Sequence, residues 1–178
     1  MSNSKFIGLL KECGAIKFGK FVLTSGAVSD YYIDIKLAST NPEILKEIAK
    51  RMSKYADGYD VIAGMELGAV PLAVALSLET RIPFVIVRKE KKGHGTGNLI
   101  EGASVNRKKV LIVEDVTTSG GSVLKTIDIL RRAGAVLDRV IVVVDRESGA
   151  EEKIEKSGLE FVPLIKVSEI LKKLLKTT

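Results

Sequence analysis

The sequence predicts an α/β fold, a doubly wound and mostly parallel sheet flanked by helices, with a small elaboration at the N-terminus. Three features carry that prediction. Short apolar runs rich in β-branched residues recur at 60–64, 83–87, 110–113 and 136–145, each of strand length. Segments with helical period lie between most of them, so the order through the middle of the chain is βαβα. The loops that follow the strands are rich in small and polar residues, at the sheet end where open α/β folds bind ligands. With 178 residues, of which 46% are hydrophobic and 28% charged, the chain suits one domain with a full core.

Taken in order, residues 4–13 read as a short helix carrying Phe6, Ile7, Leu9 and Leu10, closed by Gly14. Residues 15–23 alternate apolar and polar side chains around Gly19-Lys20, which signals a hairpin turn there. Tyr31 and Tyr32 follow a polar turn and serve either as half-buried strand residues or as a flat surface for a planar ring. Asn41-Pro42-Glu43 starts a helix, with a cap, a proline at the first helical position and an early acid. Ile44, Leu45, Ile48, Ala49 and Met52 then share its apolar face. The strand at 60–64 leads through Met65-Glu66-Leu67-Gly68-Ala69-Val70-Pro71 into an apolar helix at 72–78, a first unit of strand, small-residue loop and helix.

After the strand at 83–87 the chain changes character. Residues 88–97 hold five basic or potentially basic side chains, three glycines and no apolar residue, the composition of a surface loop. By itself that run describes a solvated charged segment as well as a loop that reaches an anion. Gly93, Gly95 and Gly97 are not a dinucleotide fingerprint, because no helix-forming sequence follows them. No Gly-Lys-Ser/Thr occurs, which excludes a nucleoside-triphosphate P-loop.

The stretch 110–124 concentrates the chemistry. A buried strand at 110–113 ends in Glu114 and Asp115, and a helix opens at Gly120 with Val123, Ile127 and Leu130 on one face and Leu124 beside it. Between them, Val116, Thr117, Thr118, Ser119, Gly120, Gly121 and Ser122 offer hydroxyls, small side chains and approachable amides. A helix starting there aims unpaired N–H groups and its positive dipole end at a phosphate. Two carboxylates beside a phosphate repel it unless they face sugar hydroxyls or a magnesium ion, and a ribose phosphate satisfies both halves. The bland alternative is an ordinary strand-to-helix turn. Beyond it, the strand at 136–145 leads into Arg146, at another strand end, where an arginine makes a surface ion pair or holds a carboxylate in its planar fork. A helix at 150–157, a strand at 159–164 and an amphipathic helix at 168–176 with Ile170, Leu171, Leu174 and Leu175 complete the pattern.

Several classes are excluded or disfavoured. A net charge of +6 fits nucleic acid or a small polyanion, but basic residues are scattered among acids and aromatics are only 5%, so nucleic acid is not expected. The apolar runs are too short for a membrane span, and no membrane association is expected. A single cysteine, Cys13, leaves no intramolecular disulfide and fits a reducing cytoplasm. One histidine and one cysteine cannot build a structural zinc site, and no protein metal cluster is expected.

The central stretch resembles the phosphoribosyl-pyrophosphate motif of the type I phosphoribosyltransferases. Four segments extend the resemblance to the orotate phosphoribosyltransferases along nearly the whole chain: CGAIKFGKFVLTSG with SDYYID, AGMELGAVPLA, RKEKKGHGTG, and DVTTSGG followed by DRESG. The resemblance implies a single domain over residues 1–178, with residues 1–40 forming an N-terminal hood. It implies magnesium-dependent transfer of the phosphoribosyl group from phosphoribosyl pyrophosphate to orotate, releasing pyrophosphate and giving orotidine 5′-monophosphate for pyrimidine synthesis. It implies that Lys92 and Asp115 are catalytic and that Arg88, Lys89, Lys92 and His94 hold the pyrophosphate. Glu114 and Asp115 would hold the ribose hydroxyls directly or through magnesium-bound water, residues 117–122 the 5′-phosphate, and Thr118 and Arg146 the orotate. A homodimer whose basic loop is shared across subunits is implied as well. Thr24 and Ala27 depart from the family, standing where many relatives have lysine and arginine. A purine-specific relative on the same fold and a non-catalytic regulator remain the alternatives.

Overall fold

The computed structural model describes residues 1–22, 28–90 and 98–174. The chain opens with α1 (Asn3–Glu12), capped by the Ser2 side chain, and continues through β1 (Ile16–Val22), β2 (Val28–Ile33) and α2 (Ile35–Ser39). Then follow α3 (Pro42–Met52), β3 (Val61–Met65), α4 (Val70–Thr80), β4 (Phe84–Val87), β5 (Ile100–Gly102) and β6 (Val110–Thr117). The last elements are α5 (Gly121–Arg132), β7 (Arg139–Asp145), α6 (Ala150–Lys156), β8 (Glu160–Lys166) and α7 (Val167–Leu174).

One sheet takes the order β5-β4-β3-β6-β7-β8, and β1 with β2 makes a separate two-stranded sheet. Within the large sheet β4, β3, β6, β7 and β8 run parallel, while β5 closes one edge antiparallel to β4. This is the doubly wound, mostly parallel α/β sheet the sequence predicts. Its strands explain the continuous apolar runs, because successive side chains face opposite sides and both sides are covered. On β6, Leu111 and Val113 pack with Phe6, Ile48, Leu72 and Leu76 on one face. Val110 and Ile112 pack with Val123, Ile127 and Leu130 on the other.

Helix α3 starts as its sequence requires, with the Asn41 side chain accepting from the Glu43 and Ile44 amides at 3.0 and 3.2 Å. Two expectations are corrected. Gly19-Lys20 is not a turn: it lies inside β1, where the pairing slips by one residue between Phe18 opposite Tyr31 and Phe21 opposite Ser29. A glycine there accommodates the bulge with φ of +143°. The second correction is length. Strand β6 runs on to Thr117, so Glu114 and Asp115 belong to the strand rather than following it. Pairing explains the extension, since Glu114 lies opposite Val142 and Thr117 opposite Asp145 on β7.

At the N-terminal ends of these strands the polar groups close on one another. Tyr59 donates to Asp138 at 2.5 Å, Lys109 meets the other Asp138 oxygen at 2.8 Å, and Arg139 pairs with Glu160 at 2.7 Å. Burial, then the hydrogen bond to Asp138 and its charge, raise the Tyr59 phenol above its ordinary range, so it remains a neutral donor.

Candidate active site

The C-terminal ends of β3, β6 and β7 bring the predicted residues together. Glu114 is 5% exposed and Asp115 half-buried. The Asp115 amide donates to Glu114 Oε1 at 3.0 Å, and the Val116 amide donates to Asp115 Oδ1 at 2.9 Å. Burial, then the hydrogen bond with Asp115 and that residue's charge, push the Glu114 carboxyl up to about 8. Glu114 is thereby held toward its protonated form, and Asp115 is the more exposed acid of the two. Both line a cavity of about 230 Å³ with Lys36, Glu66, Gly68 and Lys89. The loop between β3 and α4 makes this approach possible. A Cβ on Gly68 would stand 2.1 Å from Asp115 Oδ2, so only glycine leaves the carboxylate its place.

The anion cradle follows on the same strand. Thr118, Ser119, Gly121 and Ser122 are exposed. Thr117 is not: its hydroxyl, 2% exposed, donates to Asp145 Oδ1 at 3.0 Å and braces the loop from below. From the next layer Lys153 donates to the Ser119 carbonyl at 3.1 Å. Gly120 has φ of +78° and a Cβ on it would lie 3.3 Å from Ala150 Cα, so the turn into α5 needs glycine twice over. Among the described residues no side chain caps α5, whereas Ser2, Asp34 and Asn41 cap α1, α2 and α3. The first-turn amides of α5 are thus left for an anion.

On the flanks, the Lys89 amide donates to Glu66 Oε1 at 2.8 Å, and Arg88 lies 4.0 Å from Glu66 and 3.9 Å from Glu101. Arg146 follows β7, and its amide donates to the Thr117 carbonyl at 2.9 Å, which ties it to the cradle. Its guanidinium lies 5.0 Å above the Tyr31 ring and 3.4 Å from the Ser29 hydroxyl. Among the described residues the Nε atoms of Arg88 and Arg146 are buried without a hydrogen-bond partner. Tyr32 leans on Phe21 instead, with ring centroids 5.6 Å apart. Lys92 and His94, like Thr24 and Ala27, lie outside the described residues.

Sequence reasoning missed Lys36 and Glu66. Lys36 sits on α2, and its ammonium is 3.8 Å from Asp115 Oδ2. Its partner is distant in the chain, so no spacing rule could find it. Glu66 sat in plain view in the loop after β3. A larger cavity of about 910 Å³ lies between β5 and α5, lined by Ile100, Val105, Lys125 and Arg132 among others. It contains neither the acid pair nor the uncapped loop, so the smaller cavity is the candidate site.

Among the described residues no group of three or more His, Cys, Asp or Glu side chains could hold a metal ion, and no helix is long and apolar enough to cross a membrane.

Comparison with known proteins gives the arrangement its family. A family model, the phosphoribosyl transferase domain, matches residues 39–169. The orotate phosphoribosyltransferase of Pyrococcus horikoshii is 57% identical over 174 residues, spanning 96% of this chain and 94% of that protein. Among solved structures, orotate phosphoribosyltransferase from Aeropyrum pernix aligns with a TM-score of 0.86 at 32% identity, over 95% of this chain and 97% of that one. The Mycobacterium tuberculosis H37Rv enzyme, in complex with 5-phospho-alpha-D-ribosyl 1-diphosphate (PRPP), aligns with a TM-score of 0.78 at 29% identity, over 94% of this chain and 97% of that one. The chain belongs to the orotate phosphoribosyltransferases of the phosphoribosyl transferase family.

Proposed function

We propose that this chain transfers the 5-phosphoribosyl group from phosphoribosyl pyrophosphate to orotate, giving orotidine 5′-monophosphate and pyrophosphate. One observation carries the reading: the accessible carboxylate of Asp115 and the uncapped start of α5 lie at the end of one strand, β6. A sugar phosphate offers hydroxyls to the first and a phosphate to the second. Identity of 57% to a relative named for this reaction supports the choice of base.

Departure of pyrophosphate leaves cationic character on the ribose and builds negative charge on the leaving group, so positioning and charge do the catalysis. Asp115, with Glu114 behind it, accepts from the ribose hydroxyls or from water on a magnesium ion. Residues 118–122 present amides and hydroxyls to the 5′-phosphate, while Val116 and Thr117, whose amide and hydroxyl are already engaged, hold the loop in place. Arg88 and Lys89 hold pyrophosphate oxygens with Lys92 and His94, and Lys92 works nearest the breaking bond. Thr118 and Arg146 hold orotate, Arg146 through its carboxylate, and Tyr31 covers the ring. The donor set fits a magnesium ion that arrives with the diphosphate, since such an ion takes only one or two carboxylates and keeps its remaining ligands from phosphate and water. When bound, magnesium supplies positive charge against the phosphates.

The reading includes a single domain over residues 1–178 with residues 1–40 as a hood, a cytoplasmic setting, and a homodimer that shares the basic loop.

The test follows orotate by its ultraviolet absorbance with phosphoribosyl pyrophosphate and magnesium present, then with each omitted. Loss of orotate that requires both is the expected result. No loss, with consumption of adenine, hypoxanthine or guanine instead, would move the assignment to a purine-specific relative.

A further inference from the structure

Lys36 belongs to the hood but acts on the acid pair. Helix α2 is pinned by Ile35 and Ala38, each 0% exposed, and capped by Asp34, which accepts from the Leu37 amide at 3.2 Å. That anchorage sends the Lys36 side chain, 59% exposed, over the end of β6 to 3.8 Å from Asp115 Oδ2. The distance is too long for a hydrogen bond, so the contact is between charges. The other oxygen, Oδ1, is held by the Val116 amide at 2.9 Å, and Gly68 leaves the space beside Oδ2 open. Each side of the carboxylate therefore has its own restraint: an amide, a missing side chain, and an ammonium from helix α2. Three acidic side chains, Glu66, Glu114 and Asp115, line this cavity together with two lysines, Lys36 and Lys89.

We propose that Lys36 is a positioning residue that holds the Asp115 carboxylate toward the sugar hydroxyls of phosphoribosyl pyrophosphate and offsets its charge as the anionic diphosphate approaches. The inference rests on the functional reading above and adds a residue from the hood to it. Lys36 acts through Asp115, so its loss weakens capture of the sugar diphosphate rather than the bond-breaking step.

The experiment compares wild type, Lys36→Met and Lys36→Arg in steady-state assays with phosphoribosyl pyrophosphate varied at saturating orotate and magnesium. Binding of phosphoribosyl pyrophosphate is measured in parallel by calorimetry, with and without Asp115→Asn. Lys36→Met is expected to raise KM for phosphoribosyl pyrophosphate about three- to five-fold, the range of a solvent-exposed charge contact, with kcat within about two-fold. Lys36→Arg should restore most of the loss, and in the Asp115→Asn background Lys36→Met should add nothing to Kd. An unchanged KM in Lys36→Met would overturn the proposal, as would an undiminished effect on Kd without the Asp115 carboxylate. If wild type itself consumes no orotate, the functional reading falls, and the calorimetric comparison still decides the role of Lys36.

Discussion

The two ends of the central sheet treat polar groups in opposite ways. At the N-terminal ends of the strands, Tyr59, Lys109, Asp138, Arg139 and Glu160 satisfy one another at 2.5 to 2.8 Å. At the C-terminal ends, Arg88 and Arg146 keep a buried Nε without a partner, and α4, α5 and α6 start without a side-chain cap among the described residues. The first end contributes to stability. The second leaves donors unspent in the free protein, as the proposed function requires of a site whose partners are substrates.

Substitutions at the two ends should separate activity from stability. Asp115→Asn has the largest expected effect: kcat/KM for phosphoribosyl pyrophosphate should fall about a hundred-fold while the unfolding midpoint hardly moves. A stability loss with activity retained would show that the pair is structural and erase the contrast. Next comes the pH dependence of Glu114. Its carboxyl titrates near 8 when folded against an ordinary value of 4.5, so in that window the folded state keeps a proton the unfolded chain has lost. Stability should therefore fall as pH rises through the window, and denaturation curves of Glu114→Gln should lack that slope. Gly68→Ala tests the packing: the added Cβ forces the Asp115 carboxylate aside, and KM for phosphoribosyl pyrophosphate should rise about ten-fold with stability within about 1 kcal/mol of wild type. The smallest effect belongs to the other end. Tyr59→Phe should cost about 1 kcal/mol in denaturant unfolding and leave kcat and KM unchanged.

The sequence made the site more legible than its supports. Glu114, Asp115 and the cradle after them were readable because they are consecutive, and Asn41-Pro42 because a helix start is a local event. Lys36 and the network of Tyr59 with Asp138 were invisible, since each joins residues that only the assembled sheet brings together. Helix α2 has five residues and strand β5 three, too few for any period to show, although Asp34 was a cap signal in view. Gly19-Lys20 misled because a bulge and a turn ask for the same residue, and only the partner strand tells them apart.

Arg146 and Tyr31 have an optical consequence. The chain contains four tyrosines and no tryptophan, so its intrinsic emission comes from tyrosine alone. One of those four rings sits 5.0 Å beneath a guanidinium that the proposed reaction assigns to the orotate carboxylate. If the proposed reading holds, seating the base there changes what that ring faces, and tyrosine emission should report it, with no label to attach and no tryptophan background to subtract.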